Sequence, residues 1–208
     1  LGDGGQGGAD GLAFGGLALG VFPVACDPKI NPVDKGLQKK SANDGGGFRP
    51  NAFVHVGTDD VVSIVCARSE MGQGVRSSLP ILIADEMGAD MARVKIVQAT
   101  GDKVYGDQNT DGSHSVRGMF DDLRSVGAAA RIMLIAAAAK RRQVAPSTCR
   151  TLANKVPHDA TSRSFRFGEL AEEAGRMAAP AKDEITFRPR AELAHLGKEL
   201  PLLDGPDI

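Results

Sequence analysis

Tryptophan is missing from these 208 residues and tyrosine occurs only once. With eight phenylalanines as the other aromatics, the core must come mainly from aliphatic and small side chains. An excess of either charge is also lacking: 25 Lys and Arg stand against 26 Asp and Glu, for a formal charge of −1. The basic face that nucleic acid or an anionic membrane requires is therefore not encoded. Cys26, Cys66 and Cys149 are far apart and odd in number, which indicates neither a disulfide framework nor a zinc cluster. An iron–sulfur cluster needs closely spaced thiolates, so any such cluster belongs to a partner. No apolar run approaches the roughly 20 residues of a bilayer-spanning helix.

What is present divides into three parts. Residues 1–48 read as a tail. Its glycine-rich opening, LGDGGQGGADG, holds no fixed backbone without a neighbour. LAFGGLALGVFPVAC follows, ending at Cys26, and then a polar linker. The apolar piece has the apolar centre and small-residue exit of an export signal but no basic start. Packing into a groove of a partner subunit reads the same residues equally well. The location expected is periplasmic or membrane-associated, with cytoplasmic as the alternative. Residues 49–178 form the folded domain. Residues 179–208, proline-rich and charged, read as an extended arm leading to a following domain or partner.

Within the domain, Asn51 to Gly57 and Val61 to Ala67 flank Thr58-Asp59-Asp60, the pattern of a hairpin. Cys66 falls in the second strand as a small buried hydrophobe. Leu79, Leu82, Ile83 and Met87 recur at helical spacing and predict a helix over 75–87, with Pro80 tolerated in an early turn. Val94 to Val97 is the next strand. A polar loop over 99–115, long enough to suggest function, leads into a helix over 116–142. Its buried face is marked by Leu123, Val126, Ala130, Met133, Leu134, Ala137 and Ala138. Two short β-like runs, 149–152 and 155–158, and a helix over 168–177 complete the domain. The fold class expected is α/β (α+β), a mixed sheet with packed helices.

Two glycine-bearing loops, each just before a helix, carry the chemistry. In Glu70-Met71-Gly72-Gln73-Gly74 the glycines let the backbone turn sharply and approach a ligand. Gln73 offers donors and an acceptor suited to the edge of a flat heterocycle. In Gly112-Ser113-His114-Ser115, two hydroxyls precede a long helix, whose free N–H groups and dipole attract anions. Taken singly, a tight turn and an N-cap explain these features as well. The loop at 69–74 carries no P-loop lysine, which disfavours nucleotide binding of the Walker type.

Together, PNAFVHVGTDDVVSIVCARSEMGQGVRSSLPILIADEMGADMARVKIV and YGDQNTDGSHSVRGMFDDLRSVGAAARIMLIAAAA resemble the isoquinoline 1-oxidoreductase beta-subunit family. This is a branch of the xanthine oxidase-like molybdenum hydroxylases that includes related aldehyde dehydrogenases. FGELAEEA and LGKELPLLDGPDI match as well, so the resemblance covers about residues 49–208. It implies a molybdopterin-binding domain of the large subunit. Gln73 would hydrogen-bond the pterin, with Met71, Gly72 and Gly74 shaping the turn, while Gly112, Ser113, His114 and Ser115 wrap the cofactor phosphate.

The cofactor implied is molybdopterin cytosine dinucleotide with molybdenum, shared with another chain or a missing C-terminal part. The pterin dithiolene, not a protein ligand, holds the metal. The implied partners are the remainder of the large subunit as a separate chain, a small subunit with [2Fe–2S] clusters, and a cytochrome or other electron acceptor. The implied reaction hydroxylates an N-heterocycle or an aldehyde with oxygen from water. A non-catalytic accessory or assembly subunit that keeps the fold without the metal is the alternative.

The sequence departs from the family in several places. The catalytic glutamate in a Gly-x-Gly-Glu context is absent, so no catalytic residue is expected in this chain. Phe167-Gly168-Glu169 reads as a helix cap. Gly45-Gly46-Gly47-Phe48 reads as linker, not as the second glycine loop. His114 stands where a small or β-branched residue is usual, and the tryptophan expected near Lys140-Arg141-Arg142 is missing. His55 is expected to be exposed or packed, His158 and His195 to face solvent, and Asp59-Asp60 and Asp121-Asp122 to be turn and helix-surface acids. Arg117 is a weaker candidate for the phosphate.

Overall fold

The computed structural model describes residues 46–202; the apolar segment ending at Cys26 lies outside them. Strand β1 (Val54–Val56) pairs antiparallel with β2 (Val62–Cys66), in the register Val54↔Ile64 and Val56↔Val62. The connecting turn closes through Gly57 N–H to the Val61 carbonyl at 2.9 Å, with Asp60 at a positive φ of 72°. Strand β3 (Val94–Gln98) lies parallel to β2, from Val62↔Val94 to Cys66↔Gln98. Parallel neighbours need a crossover, and helix α1 (Val75–Met87) supplies it. Val62, Ile64 and Cys66 alternate toward the core with the period-2 rhythm of a half-buried strand.

Helix α2 (Ser115–Arg142) packs its predicted face inward: Leu123, Val126, Ala130, Met133, Leu134, Ala137 and Ala138 are all buried. It crosses α1 at Gly127, where an added Cβ would stand 2.5 Å from the Ile83 carbonyl oxygen and 2.9 Å from Glu86 Cβ. Only a residue without a side chain permits that approach. Pro80 is accommodated inside α1, as expected.

The polar joints are buried. Glu86 is fully buried on α1 and receives Arg124 from α2 through Nε at 2.9 Å and Nη2 at 2.6 Å. Arg131 Nη1 reaches the same carboxylate at 3.0 Å, as does the Arg188 backbone N–H. A buried carboxylate is tolerable when its charge and lone pairs are matched in this way.

Four features differ from the sequence expectations. Phe48 is not linker: it exchanges two 2.8 Å backbone hydrogen bonds with Val56 and is fully buried. The runs 149–152 and 155–158 meet across Ala153 and Asn154, both at positive φ, through the bridges Cys149↔His158 and Leu152↔Lys155. Only β4 (Lys155–His158) is a true strand, and its ladder partner is β5 (Arg163–Arg166). The sequence RSFR has one apolar residue and gives no alternation to detect.

The third difference is Asp60, which is buried instead of being a solvated turn acid. Its Oδ1 accepts from Gly168 N–H at 3.0 Å, so it anchors helix α3 (Phe167–Ala174) to the hairpin turn. Glu169 caps that helix, its Oε2 accepting from Arg166 N–H at 2.7 Å, as the sequence suggested. The fourth difference concerns two histidines. His158 is buried with Nδ1 2.9 Å from Thr161 Oγ1, and His195 Nδ1 lies 2.8 Å from Asp85 Oδ1. Asp85 also accepts the His195 and Leu196 N–H groups, so the arm is strapped along α1 at this end. At the other end of α1, Leu202 reaches Gly74.

Candidate functional site

Strand β2 delivers Arg68 and Ser69 to the first loop, and α1 fixes where the loop ends. Glu70 folds back over it: Oε1 accepts from Gly72 N–H at 2.8 Å and Gly74 N–H at 2.9 Å, and Oε2 from Arg76 N–H at 2.8 Å. These donors hold the Glu70 carboxyl below its usual range, the Arg76 N–H foremost. Gly72 and Gly74 sit at φ of 96° and 79°, so both turns need glycine. No neighbour stands within 4 Å of the Cβ position at Gly72, which leaves this backbone open to approach.

Gln73 closes the loop with its own amide. Its Oε1 accepts from Met71 N–H at 2.6 Å and its Nε2 donates to the Ser69 carbonyl at 3.0 Å. One N–H and one lone pair of that amide remain for a ligand. Met71 is 70% exposed, the highest value among the large apolar side chains of the described residues.

The second loop ends at α2. Gly112 and Ser113 take positive φ, His114 is the N-cap residue, and Ser115 begins the helix. His114 makes no side-chain capping hydrogen bond, and its ring lies over Gly118, where a side chain would collide with it. The two helix starts therefore differ. Glu70 already supplies negative charge at α1, whereas no acid occupies the first turn of α2 and no side chain caps it. A helix start with unmatched N–H groups is where an external anion gains most. Arg117, in the first turn of α2, is exposed.

Thr110 brings the two loops together. Its Oγ1 accepts from Ser69 N–H at 2.9 Å and donates to the Ser69 carbonyl at 3.1 Å. Arg68 braces the same junction from below: it is buried, its Nε lies 3.4 Å from Met119 Sδ on α2, and its Nη2 pairs with Asp107 at 3.2 Å. The Asn109 N–H foremost, with Arg68, holds the Asp107 carboxyl below its ordinary range. Sequence reasoning missed both Thr110 and Arg68. The available signal was Arg68 and Glu70 flanking the loop's first serine, but charge next to a turn is too common to stand out. Cys66, beneath the loop, is buried, and that burial pushes its thiol pKa up.

The chain is 38% identical over 213 aligned positions to isoquinoline 1-oxidoreductase subunit beta of Brevundimonas diminuta, covering 84% of this chain and 27% of that protein. It is 29% identical over 195 positions to a membrane-bound aldehyde dehydrogenase [pyrroloquinoline-quinone] of Gluconacetobacter polyoxogenes, covering 92% of this chain and 24% of that protein. The chain thus spans about a quarter of the length of these relatives. Among solved structures, quinoline 2-oxidoreductase from Pseudomonas putida 86 aligns over 59% of this chain and 15% of its own, with 17% identity and a TM-score of 0.45. Residues 15–198 match the molybdopterin cofactor-binding domain family, a span that holds both loops and both helices they introduce, and the chain belongs to that family.

Proposed function

We propose that this chain holds a molybdenum pterin for a molybdenum hydroxylase-type oxidoreductase, with the 69–74 loop against the ring system and the 112–115 loop against the phosphate. The observation that carries the reading is the Ser69–Thr110 pair, which sets the two loops side by side. The donor set fits such a group. An uncapped helix start with two serine hydroxyls suits a phosphate, and an amide with an N–H and a lone pair to spare suits a heterocycle edge. Open backbone at Gly72 and Gly112, where an added Cβ would meet nothing within 4 Å, admits close approach.

When bound, the molybdenum pterin supplies two-electron oxidation of a carbon centre. What this chain contributes is position. Glu70 locks the backbone of the first loop, Gln73 presents its remaining amide donor, and Ser113 and Ser115 present hydroxyls at the α2 start. By the sequence resemblance, the proton-transferring base is a glutamate in a Gly-x-Gly-Glu element, which these 208 residues do not contain. The further reading follows the sequence resemblance. The cofactor is the cytosine dinucleotide form and the substrate an N-heterocycle or aldehyde, with oxygen from water. Electrons leave through a [2Fe–2S] subunit toward a cytochrome or other acceptor, and the assembly is periplasmic or membrane-associated.

The test is molybdenum and cytosine-nucleotide analysis of the purified assembly, comparing the unaltered protein with Gln73→Ala and with Ser113→Ala. The reading requires stoichiometric metal and nucleotide in the unaltered protein, and occupancy lowered about tenfold or more by each substitution while the far-ultraviolet circular dichroism stays the same. Absent molybdenum in the unaltered assembly points to the accessory alternative. Occupancy unchanged by Gln73→Ala makes that residue a turn former only.

A further inference from the structure

At the far end of α2 from these loops, the helix C-terminus and the β4–β5 hairpin enclose a cleft of about 570 Å³. A 28-residue helix rising 1.5 Å per residue puts roughly 40 Å between its two ends, so the cleft is no part of the cofactor loops. Every charged side chain lining it is a cation: Arg141, Arg142 and Arg163, with His158, Thr161 and Phe165 among the other walls.

Arg141 is already neutralised by Glu173. Arg142 is not. Its Nη1 donates to the Val156 carbonyl at 3.2 Å and its guanidinium lies 4.3 Å from the Phe165 ring centre, but Nη2 is buried with no acceptor. Its positive charge, without a carboxylate partner among the described residues, adds to the positive potential of the cleft wall. Arg163 is exposed, carries no ion pair among the described residues, and sits opposite His158 in the hairpin register. The Thr161 hydroxyl holds the His158 ring through Nδ1. Guanidinium, hydroxyl and imidazole groups are the donor types that a phosphate takes, and the volume leaves room for an attached organic group.

We propose that this cleft binds a phosphate-type oxyanion, carried by a small organic phosphate or free in solution. Isothermal titration of the full chain with pyrophosphate, and separately with inorganic phosphate, tests it. Because the α2 start is itself a candidate phosphate site, the titrations are made in the Ser113→Ala background; saturable binding is expected there, weakened about tenfold when Arg163→Gln is added and further reduced by high salt. Arg163 is exposed and unpaired, so this substitution leaves the fold intact; Arg142→Gln serves as the second variant, read only where its circular dichroism is unchanged. Any binding at the α2 start is lost or weakened by Ser113→Ala and is untouched by Arg163→Gln, so the component that depends on Arg163 reports the cleft. Two results overturn the proposal: no saturable binding at millimolar pyrophosphate, or binding that Arg163→Gln leaves unchanged.

Discussion

Thr110 and Ser69, forty-one positions apart in the chain, exchange hydrogen bonds in both directions: one hydroxyl accepts the Ser69 N–H and donates to the Ser69 carbonyl. Backbone groups usually find such reciprocal partners in a β-ladder. Here a side chain stands in for a strand just where β2 ends, and it sets the spacing of the two glycine loops.

Replacing Thr110 with valine keeps the shape and removes both bonds. The expected loss is about 1–2 kcal/mol of stability, since a net hydrogen bond contributes on the order of 1 kcal/mol. Thermal unfolding would show this as a modest fall in Tm. Molybdenum content should fall much further than stability does, and Thr110→Ser should restore both. Equal loss of metal in Thr110→Val and Thr110→Ser would mean that the methyl group matters and the hydroxyl does not.

Glu70 makes the first loop sensitive to acid. Its carboxyl titrates below the ordinary value of 4.5 because the Arg76, Gly74 and Gly72 N–H groups stabilise the charged form. The stabilisation is therefore complete above that ordinary value and is lost as pH falls through the lower, folded-state value. Amide resonances of Gly72 and Gly74 followed by NMR should hold steady above pH 5 and shift only well into the acid range. In Glu70→Gln the acid transition should vanish. A transition that persists in that variant would assign it to another carboxylate.

The helices and the central strands were legible in the sequence because their signals are local and repeated. Leu79, Leu82, Ile83 and Met87 return every turn, and Val62, Ile64 and Cys66 alternate. The residues that were misread depend on distant partners instead. Asp60 looks like any turn acid until Gly168, from a helix more than a hundred positions later, donates to it. Phe48 follows three glycines and reads as linker, yet pairing with Val56 buries it. The site was half legible in the same sense. The glycines and serines announce themselves as loops, but nothing along the chain announces Thr110 as their clasp or Arg68 as the brace beneath it.

Glu86 is the most consequential polar residue in the fold. It joins α1, α2 and the C-terminal arm through Arg124, Arg131 and Arg188, with no exposure to solvent. Glu86→Gln keeps the volume and removes the charge, leaving the guanidiniums of Arg124 and Arg131 without their counter-ion. The expected cost is about 3–5 kcal/mol, the scale found when one partner of a buried ion pair is removed. Urea unfolding should report it as a lower midpoint at unchanged slope. A cost below about 1 kcal/mol would show that water reaches and solvates these arginines.

Whether the two loops meet one cofactor is tested most directly by a structure of the assembled holoprotein. The expected result is a pterin within hydrogen-bond distance of Gln73 and a phosphate at the start of α2, against Ser113 and Ser115. A bound cofactor that touches neither loop, or touches one and lies far from the other, would contradict it.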